Sequence, residues 1–326
     1  MKIGKLTNEE LKAHVLDRLS SPKSRVIEGP GVGADCAVLD LDGDACVLSS
    51  DPITGTDRDI GVIALNVACN DIAAAGATPV GVMVTLLIPP KATMDELDTI
   101  VEDIVKTASA LSIDVLGGHT EVTDAVTRTV ASVTAIGKRS PQGFKNAADP
   151  MEGDSIIMTK SIGLEGAAII AREHSQALEN HLTDDELNEA RGYINSISVI
   201  KEGAIGAREG AYLMHDVTEG GILGAVWELC NNLGKGATVY KDKILITDVV
   251  KKICCAANVN PYKLISSGCM VMLARNGEGV VNALQKEGIA AAVIGNITRG
   301  GITLKDENGI EEILPPAQDE IYSVSL

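Results

Sequence analysis

The chain has few aromatic residues and no long hydrophobic run. Its 326 residues include one Trp, one Phe and five Tyr, although 45% of all residues are hydrophobic. The core of the folded protein must therefore consist mainly of Val, Ile, Leu and Ala. The most apolar segment, residues 80–88, is too short for a transmembrane helix, which needs roughly 20 residues. The composition and length are typical of an ordinary soluble protein with two domains.

Basic residues are also scarce. Lys and Arg number 28 against 45 Asp and Glu, which gives a formal net charge of −17. Because like charges repel, this balance argues against nucleic-acid backbones and anionic membrane surfaces as partners. Any phosphate that binds here must be neutralised by Mg²⁺, by backbone N–H groups and by a few local cations.

Several common motifs are absent. The seven cysteines form no Cys-x-x-Cys pair, which argues against a zinc or dithiol site, and their odd number favours reduced thiols. The amino terminus has no apolar signal-peptide core, so we expect a cytoplasmic protein. No P-loop occurs, and the glycine-rich residues 29–34 precede a strand-like segment where a dinucleotide fingerprint requires a helix.

Alternating helix and strand signals predict two α+β domains. Three capping boxes mark helix starts at Thr7, Thr93 and Thr183, each with a Glu three residues later. Other helices are expected at residues 61–75, 164–173, 185–209, 221–233 and 277–286. Strands are expected at residues 45–49, 80–88, 113–116, 127–136, 155–159, 211–214, 239–240, 270–273 and 292–294. Turn and breaker residues at 137–153 place the domain boundary between residues 1–148 and 149–326.

Acidic residues recur beside glycines or other small residues through two thirds of the chain. The clusters lie at residues 33–38, 49–52, 70–77, 117–121 and 215–221. Mg²⁺ is usually held by one or two carboxylates together with substrate phosphates. Asp71 is the most informative acid, because it interrupts an apolar helix, where a buried charge is costly unless it is paired or bound to a metal. The pattern predicts a Mg²⁺–ATP site without a P-loop.

In order and spacing, these clusters resemble the aminoimidazole ribonucleotide (AIR) synthetase superfamily, from about Lys5 to residues 295–297. Residues 51–55, 70–73 and 117–121 are most similar to its HypE-like "AIR synthase-related" branch. The resemblance implies a two-domain α+β fold of the AIR synthetase type. It also implies a homodimer in which the N-terminal domains pair to close a shared β-barrel, with ATP in a cleft near that interface.

The resemblance further implies which residues hold the metal. The metal ligands would be Asp35, Asp51, Asp71 and Glu121. Considered alone, Asp35 could be a turn residue before a strand, and Asp51 could be a strand-end cap before Pro52. In the family, however, the aspartates matching these two positions contact the metal or the phosphates.

Contacts to the nucleotide are implied for a second set of residues, which comprises Lys5, Gly33, Asp35, Gly117, Gly118 and Thr120. The two adjacent glycines follow the strand predicted at residues 113–116, so we expect a phosphate-binding turn there. His119 stands where family members carry Glu, Asp or His, and it is a candidate phosphate contact or proton-transfer group. Lys5 could equally be a surface lysine.

Asp216 is the candidate catalytic residue of the C-terminal domain, as His119 is of the N-terminal domain. In the family, the Asp-x-Thr/Ser-x-Gly pattern lines the cleft and faces the substrate or nucleotide. The alternative is structural, because Asp216 or Thr218 could cap the helix that begins near Gly221.

The implied activity is ATP-dependent phosphorylation of an amide-like oxygen on a small-molecule or carrier-bound substrate, as in a ligase, dehydratase or kinase. HypE carries its substrate on a C-terminal cysteine, whereas the last cysteine here is Cys269, so we do not expect a substrate on this chain's own tail. Two alternatives stay open: a thiamine-monophosphate kinase-like phosphotransferase and a non-catalytic, nucleotide-binding dimeric assembly module.

Overall fold

The computed structural model describes residues 6–19, 25–32, 34–54, 56, 58–139, 150–316 and 318–326. Lys5 and Gly33, two of the expected nucleotide contacts, lie outside the described residues. The helices are α1 (Asn8–His14), α2 (Ile60–Ala74), α3 (Met94–Leu111), α4 (Leu164–Glu173), α5 (Ser175–Leu178), α6 (Asp184–Gly192), α7 (Ile200–Arg208), α8 (Gly221–Asn232), α9 (Asp248–Ala256) and α10 (Gly277–Lys286). Across the described ranges, no helix combines the length and apolar character needed to span a bilayer.

The strands fall into two sheets. They are β1 (Val26–Glu28), β2 (Ala37–Leu41), β3 (Asp44–Ile53), β4 (Thr78–Ile88), β5 (Asp114–Val122), β6 (Val130–Arg139), β7 (Ser155–Thr159), β8 (Ala211–Asp216), β9 (Gly236–Tyr240), β10 (Met270–Ala274), β11 (Ala291–Thr298), β12 (Ile302–Asp306) and β13 (Gly309–Glu312). The first sheet has the order β1-β2-β3-β6-β4-β5, and the second has the order β13-β12-β9-β11-β7-β10-β8. The two-domain α+β fold predicted from the sequence is confirmed at this level.

The first sheet is antiparallel except at one edge, where β4 and β5 pair in parallel. Helix α3 connects these two strands along the chain. Helix α2 packs on one face of this sheet, against β3 and β6. The core between them contains only Val, Ala, Ile, Leu and Cys side chains among its buried members, as the aromatic-poor composition requires. On the opposite face, alternate residues of β3, β4 and β6 stay partly exposed.

Helix α2 is shared by the two halves of the chain. All but two of its 15 residues are buried, and besides the first sheet it contacts α7 and β8 of the second half. The side chain of Asn70 is fully buried; its Nδ2 donates to Ile197 O and its Oδ1 accepts from Val199 N, both at 2.8 Å. Because buried backbone groups must be paired, these bonds fix the position of α2 against the second half.

Close packing and an ion pair strengthen the same boundary. A Cβ atom added to Gly203 in α7 would lie only 2.5 Å from Ala73 O in α2, so the glycine permits this approach. Arg172 in α4 forms an ion pair with Asp59, just before α2, with 2.7 Å between Nη1 and Oδ2. The two halves are therefore joined along the whole length of α2.

Helix starts were easier to predict from the sequence than helix ends. The capping boxes at Thr7, Thr93 and Thr183 are all present. The single helix predicted at residues 185–209 is wrong, because the chain forms α6, a 3-10 turn (Tyr193–Ser196) and then α7. The interruption precedes the backbone segment that Asn70 binds, which is a tertiary contact that local sequence patterns do not show.

The expected phosphate-binding turn at Gly117 and Gly118 is also wrong, because both glycines lie inside strand β5. A Cβ atom on Gly118 would lie 1.7 Å from Val84 O of the neighbouring strand, so close approach of β4 requires glycine here.

Asp51 does not end its strand, since β3 continues to Ile53. Strands β1, β12 and β13 and helices α5 and α9 were not predicted.

Replacing Gly203 by Ala tests the packing of α2 on α7. We expect the free energy of unfolding to fall by about 1–3 kcal/mol, because the added methyl group overlaps the backbone of α2. Gly192→Ala is the matched control, since no atom lies within 4 Å of the Cβ position of this last residue of α6. The control is expected to be neutral or stabilising by up to ~1 kcal/mol. Chemical denaturation measures both effects, and equal values for the two variants would contradict the packing argument.

Candidate functional site

A cavity beside α2 is formed jointly by the two halves of the chain. Its lining residues are Asp35, Asp51, Pro52, Ile53, Val67, Asp71, Glu165, His215, Asp216, Thr218, Glu219, Ile265 and Ser267. Six of these side chains are carboxylates, and within the described residues none of the lining side chains is Lys or Arg. The cavity is therefore strongly acidic, in keeping with the net charge of the chain.

Strand β3 and helix α2 place two of the carboxylates together. Ser49 and Asp51 are alternate residues of β3, so they point to the same face of the sheet. The Ser49 hydroxyl donates to Asp71 Oδ2 from α2, and Ser49 Oγ also lies 3.2 Å from Asp51 Oδ2. Since a hydroxyl has one proton, it can satisfy only one of the two carboxylates at a time.

Burial raises the pKa of Asp71 well above its usual value, and the charges of Asp216, Asp35 and Asp51 raise it further. The side chain is 5% exposed, so water contributes little screening. Burial and the same carboxylates also raise the pKa of the Cys36 thiol, which stays protonated. Carboxylates held this closely need a shared proton or a bound cation to offset their repulsion.

His215 connects three further acids at the end of β8. Its Nδ1 lies 3.3 Å from Asp35 Oδ2 and 3.8 Å from Asp216 Oδ1, and its Nε2 lies 3.0 Å from Glu228 Oε2. Burial on its own would lower the pKa of His215, but the charge of Asp35 and the contacts with Asp216 and Glu228 outweigh it, so the pKa lies well above its ordinary value. These contacts favour the protonated form of His215, which would offset part of the negative charge.

Asp216 is paired only weakly, since its nearest charged partner is His215 Nδ1, 3.8 Å from its Oδ1. It is fully buried, and neither carboxylate oxygen has a hydrogen bond of normal geometry to the described residues. One ligand atom from each of Asp35, His215 and Asp216 falls within 4.8 Å of the others. Buried polar atoms are rarely unpaired, and an oxygen-rich donor set suits a hard divalent cation. His215 Nδ1 also has no hydrogen bond of normal geometry among the described residues, but a hard cation prefers carboxylate oxygens to an imidazole nitrogen, so the carboxylates are the better ligands.

Glu165 and Ser267 form the opposite wall of the cavity. Glu165 lies in the first turn of α4 and is 3% exposed, and Ser267 lies before β10 and is fully buried. Ser267 N donates to Glu165 Oε2 at 3.3 Å, and the Ser267 hydroxyl also interacts with the Glu165 carboxyl, although with poorer hydrogen-bond geometry. Burial raises the pKa of Glu165 to about 7, although the nearby Ser267 groups act in the opposite direction.

Asp319 holds two of the loops that line the cavity. Its Oδ2 accepts from Gly220 N at 2.7 Å, and its Oδ1 accepts from Ile265 N at 3.2 Å and from Ile321 N at 2.8 Å. The side chain is 1% exposed, and burial raises its pKa to about 6 despite these three donors. The loop before α8 is thereby tied to the loop before β10.

His119 and Glu121 lie on the edge strand β5, all of whose residues are exposed. His119 pairs with Thr85 of β4, which in turn pairs with Ser132 of β6. Ser132 pairs with Pro52 of β3, so three strand spacings separate His119 from the strand that lines the cavity. Three strand spacings correspond to roughly 14 Å, so these side chains do not line the cavity of their own chain. His119 Nε2 instead lies 3.0 Å from Glu121 Oε2. The same strand carries Gly117, Gly118 and Thr120.

The structure thus brings together four of the predicted site residues, Asp35, Asp51, Asp71 and Asp216. Sequence analysis missed Glu165 and Ser267. Glu165 gave the same signal as Asp71, since it is an acid in an apolar helix, and it could have been found by that argument. A serine in a loop gives no comparable signal.

Among known proteins, the chain is 28% identical over 310 residues to a protein of Methanocaldococcus jannaschii named as a hydrogenase expression/formation protein. The similarity covers 91% of this chain and 89% of that relative. It is 24% identical over 292 residues to carbamoyl dehydratase HypE of Escherichia coli, covering 86% and 84% of the two chains. Selenide, water dikinase of Dechloromonas aromatica is 25% identical over 288 residues, covering 85% and 77%.

Solved structures share the fold. The structure of hydrogenase maturation protein HypE in complex with ATP superposes with a TM-score of 0.73 at 20% identity, covering 98% of this chain and 97% of that structure. AaThiL complexed with AMPPCP and TMP superposes with a TM-score of 0.69 at 16% identity, covering 87% and 92%.

Family models match both halves of the chain. Residues 33–138 match the N-terminal domain of AIR synthase related protein, and residues 151–307 match its C-terminal domain. Together the matches span about four fifths of the sequence, and they confirm the resemblance carried by the acidic clusters. The chain belongs to the AIR synthase related protein family.

Proposed function

We propose that this protein is a Mg²⁺–ATP-dependent enzyme that phosphorylates an amide-like oxygen of a small-molecule or carrier-bound substrate. The observation that carries the proposal is the carboxylate cluster of Asp35, Asp51, Asp71 and Asp216, in which the buried Asp216 has no hydrogen bond of normal geometry to the described residues. The relatives named carbamoyl dehydratase and the solved HypE complex with ATP support the same chemistry.

The donor set fits Mg²⁺ because it consists of carboxylate oxygens. Asp51 and Asp71 would hold the ion from the N-terminal half, with Asp35 and Asp216 completing the ligands. Bound Mg²⁺ supplies charge neutralisation for the phosphates and for the transferred phosphoryl group. Ser49 would orient Asp71, and His215 would hold Asp35 in place. Asp216, first considered for proton transfer, is better placed as a ligand because neither of its oxygens has a hydrogen bond of normal geometry to the described residues.

We further propose that the enzyme is a homodimer with domains at residues 1–148 and 149–326. Within the described part of the chain, strand β5 has no neighbour on its outer edge, and it carries the exposed apolar side chains of Val115, Leu116 and Val122. Such an edge favours pairing with a second chain. Pairing would cover this edge and give Gly117, Gly118, Thr120, His119 and Glu121 a role toward the nucleotide or metal of the partner.

A kinase acting on a phosphorylated acceptor is the second candidate, because AaThiL shares the fold. A substrate of this kind brings its own negative charge, and no Lys or Arg of the described residues lines the cavity. We therefore favour an amide-like acceptor. A non-catalytic assembly module would bind Mg²⁺–ATP without consuming it.

Asp71→Asn tests the metal site. We expect this variant to lose Mg²⁺-dependent ATP affinity by roughly ten- to hundredfold, because a neutral amide replaces a ligand carboxylate. Calorimetric titration with ATP, with and without Mg²⁺, measures the change. Asp98→Asn in the exposed face of α3 is the control and should bind as the wild type does.

The melting temperature of Asp71→Asn without Mg²⁺ should equal or exceed that of the wild type, because the buried amide cannot ionise beside Asp216, Asp35 and Asp51. A variant that folds but retains full Mg²⁺-dependent affinity would disprove the metal assignment.

The dimer is tested by charges placed on β5. Wild-type protein should sediment as a dimer at micromolar concentration, whereas the double variant Val115→Lys, Val122→Lys should sediment as a monomer. The control double variant Ile310→Lys, Leu314→Lys changes residues that are 67% and 66% exposed in the second half and should leave the dimer intact. A monomeric wild type would refute this arrangement.

Acceptor-stimulated ATP consumption tests the reaction class. We expect ADP release to rise when an amide-bearing acceptor is added and to stay at the basal rate with thiamine monophosphate. Stimulation by thiamine monophosphate would support the kinase. No stimulation by either, despite Mg²⁺–ATP binding, would favour the assembly module.

A further inference from the structure

His215 is oriented like a histidine that binds a metal. Its Nε2 lies 3.0 Å from Glu228 Oε2 on α8, whereas its Nδ1 faces the cavity, 3.3 Å from Asp35 Oδ2 and 3.8 Å from Asp216 Oδ1. The residue is 6% exposed, and Nδ1 has no hydrogen bond of normal geometry to the described residues. A ligating histidine usually donates its other ring N–H to a carboxylate, which fixes the tautomer and the direction of the ring. Glu228 can perform this task, and Nδ1 then presents a lone pair to the cavity.

We propose that His215 Nδ1, Asp35 and Asp216 form a site for a borderline divalent cation of the Zn²⁺ and Co²⁺ class, which binds without a nucleotide. The inference goes beyond the proposed function, because it adds a nitrogen ligand that Mg²⁺ does not use and requires neither ATP nor an acceptor. Its test is therefore independent of whether the chain binds Mg²⁺–ATP.

The separations between the donor atoms agree with one shared ion. Zn²⁺ holds nitrogen and oxygen ligands at about 2.0–2.2 Å in a tetrahedral arrangement, which places the ligand atoms roughly 3.3–3.6 Å from one another. Nδ1 is 3.3 Å and 3.8 Å from the two carboxylate oxygens, and one ligand atom of each residue lies within 4.8 Å of the others. Small side-chain movements therefore bring all three onto one ion. Three protein ligands also leave a fourth position for water or a substrate group, as in catalytic zinc sites.

The kinds of donor decide the class of cation. Mg²⁺ demands octahedral oxygen coordination and keeps several of its waters, so an imidazole contributes little to its binding. Imidazole nitrogen suits Zn²⁺ and the other late first-row ions, which bind such mixed sites more tightly than Mn²⁺ does. Asp35 and Asp216 can serve either class of ion, and His215 adds the donor that separates the two classes.

Charge balance favours the same ion. Asp216 is fully buried, and the described lining of the cavity includes no Lys or Arg that could neutralise it. Burying a carboxylate without compensation is costly. A divalent cation neutralises Asp35 and Asp216 together, whereas a proton on His215 offsets only one charge. Binding of the cation displaces the proton from Nδ1 and releases it to solvent, while the other ring N–H stays directed at Glu228.

Regular structure positions the ligands. His215 and Asp216 end β8, which pairs with β10 as far as Asp216. Val217 N then donates to Cys269 O at 2.9 Å, which holds the chain directly after the two ligands. Asp35 comes from the first half of the chain, just before β2. A bound ion would therefore join the two halves and stabilise the folded state.

Cobalt(II) is the probe, because its absorption spectrum reports which ligands it binds. Full-length protein that a chelator has freed of metal is titrated with Co²⁺ in the absence of nucleotide, by calorimetry and by absorption spectroscopy. We expect a single Co²⁺ per chain, with d–d bands and no sulfur-to-cobalt charge-transfer band, although the chain has seven cysteines. An excess of Mg²⁺ of about hundredfold should leave this Co²⁺ in place. The melting temperature should rise when Co²⁺ binds.

Two variants and a control locate the site. His215→Gln should weaken Co²⁺ affinity by at least about hundredfold, because it removes the ligand nitrogen. Glu228→Gln should weaken it by about tenfold, because the neutral amide holds the ring less firmly. His181→Gln changes an exposed histidine in the same half of the chain; it is the matched control and should bind Co²⁺ as the wild type does.

The proposal is overturned if folded wild-type protein binds no Co²⁺, binds it only together with ATP, or binds it through sulfur. Displacement of Co²⁺ by equimolar Mg²⁺ would indicate a site made of oxygens alone and would have the same consequence. So would an unchanged Co²⁺ affinity in His215→Gln. If that variant does not fold, an unchanged affinity in Glu228→Gln refutes the proposal in its place.

Discussion

Burial of Asp71 is the constraint on which the rest of the site depends. Helix α2 is enclosed by the first sheet and by the second half of the chain, so this carboxylate cannot reach bulk water. It faces Asp51, Asp35 and Asp216, and carboxylates this close cannot all be ionised without a counter-ion. The Ser49 hydroxyl offers one proton to two of them. The fold therefore holds a cluster that is unfavourable alone, and any cation that binds it would stabilise the folded state.

The contact between the two halves also sets the direction of Asp71. Consecutive helical residues are rotated by about 100°, so the orientation of one determines that of the next. Asn70 binds the backbone at Ile197 and Val199 in the second half, and Asp71 then points toward the cavity. Small residues allow this contact between the two halves, because Gly203 lets α7 approach α2 closely. The scarcity of aromatic side chains is thus consistent with a helix that two halves must both contact.

Sequence patterns predicted the local features well and the tertiary ones poorly. Capping boxes depend on residues three apart, and all three are present. The acids of four separate clusters do converge, because a charge in an apolar segment needs a partner that only the folded chain supplies. The glycines of β5 were misinterpreted, since their reason is the approach of β4 at Val84, a long-range contact. Ser267 gave no signal, because its importance comes from burial alone.

Acids of the same chemical type have different tasks in this cavity because their surroundings differ. Asp216 is buried and has no hydrogen bond of normal geometry to the described residues, so its oxygens are suited to a cation. Glu165 is buried with an N–H donor, and burial raises its pKa to about 7, so it is suited to a ligand that donates a proton or a hydrogen bond. Phosphate charge can therefore be accommodated only on the side of the cavity where a metal can bind.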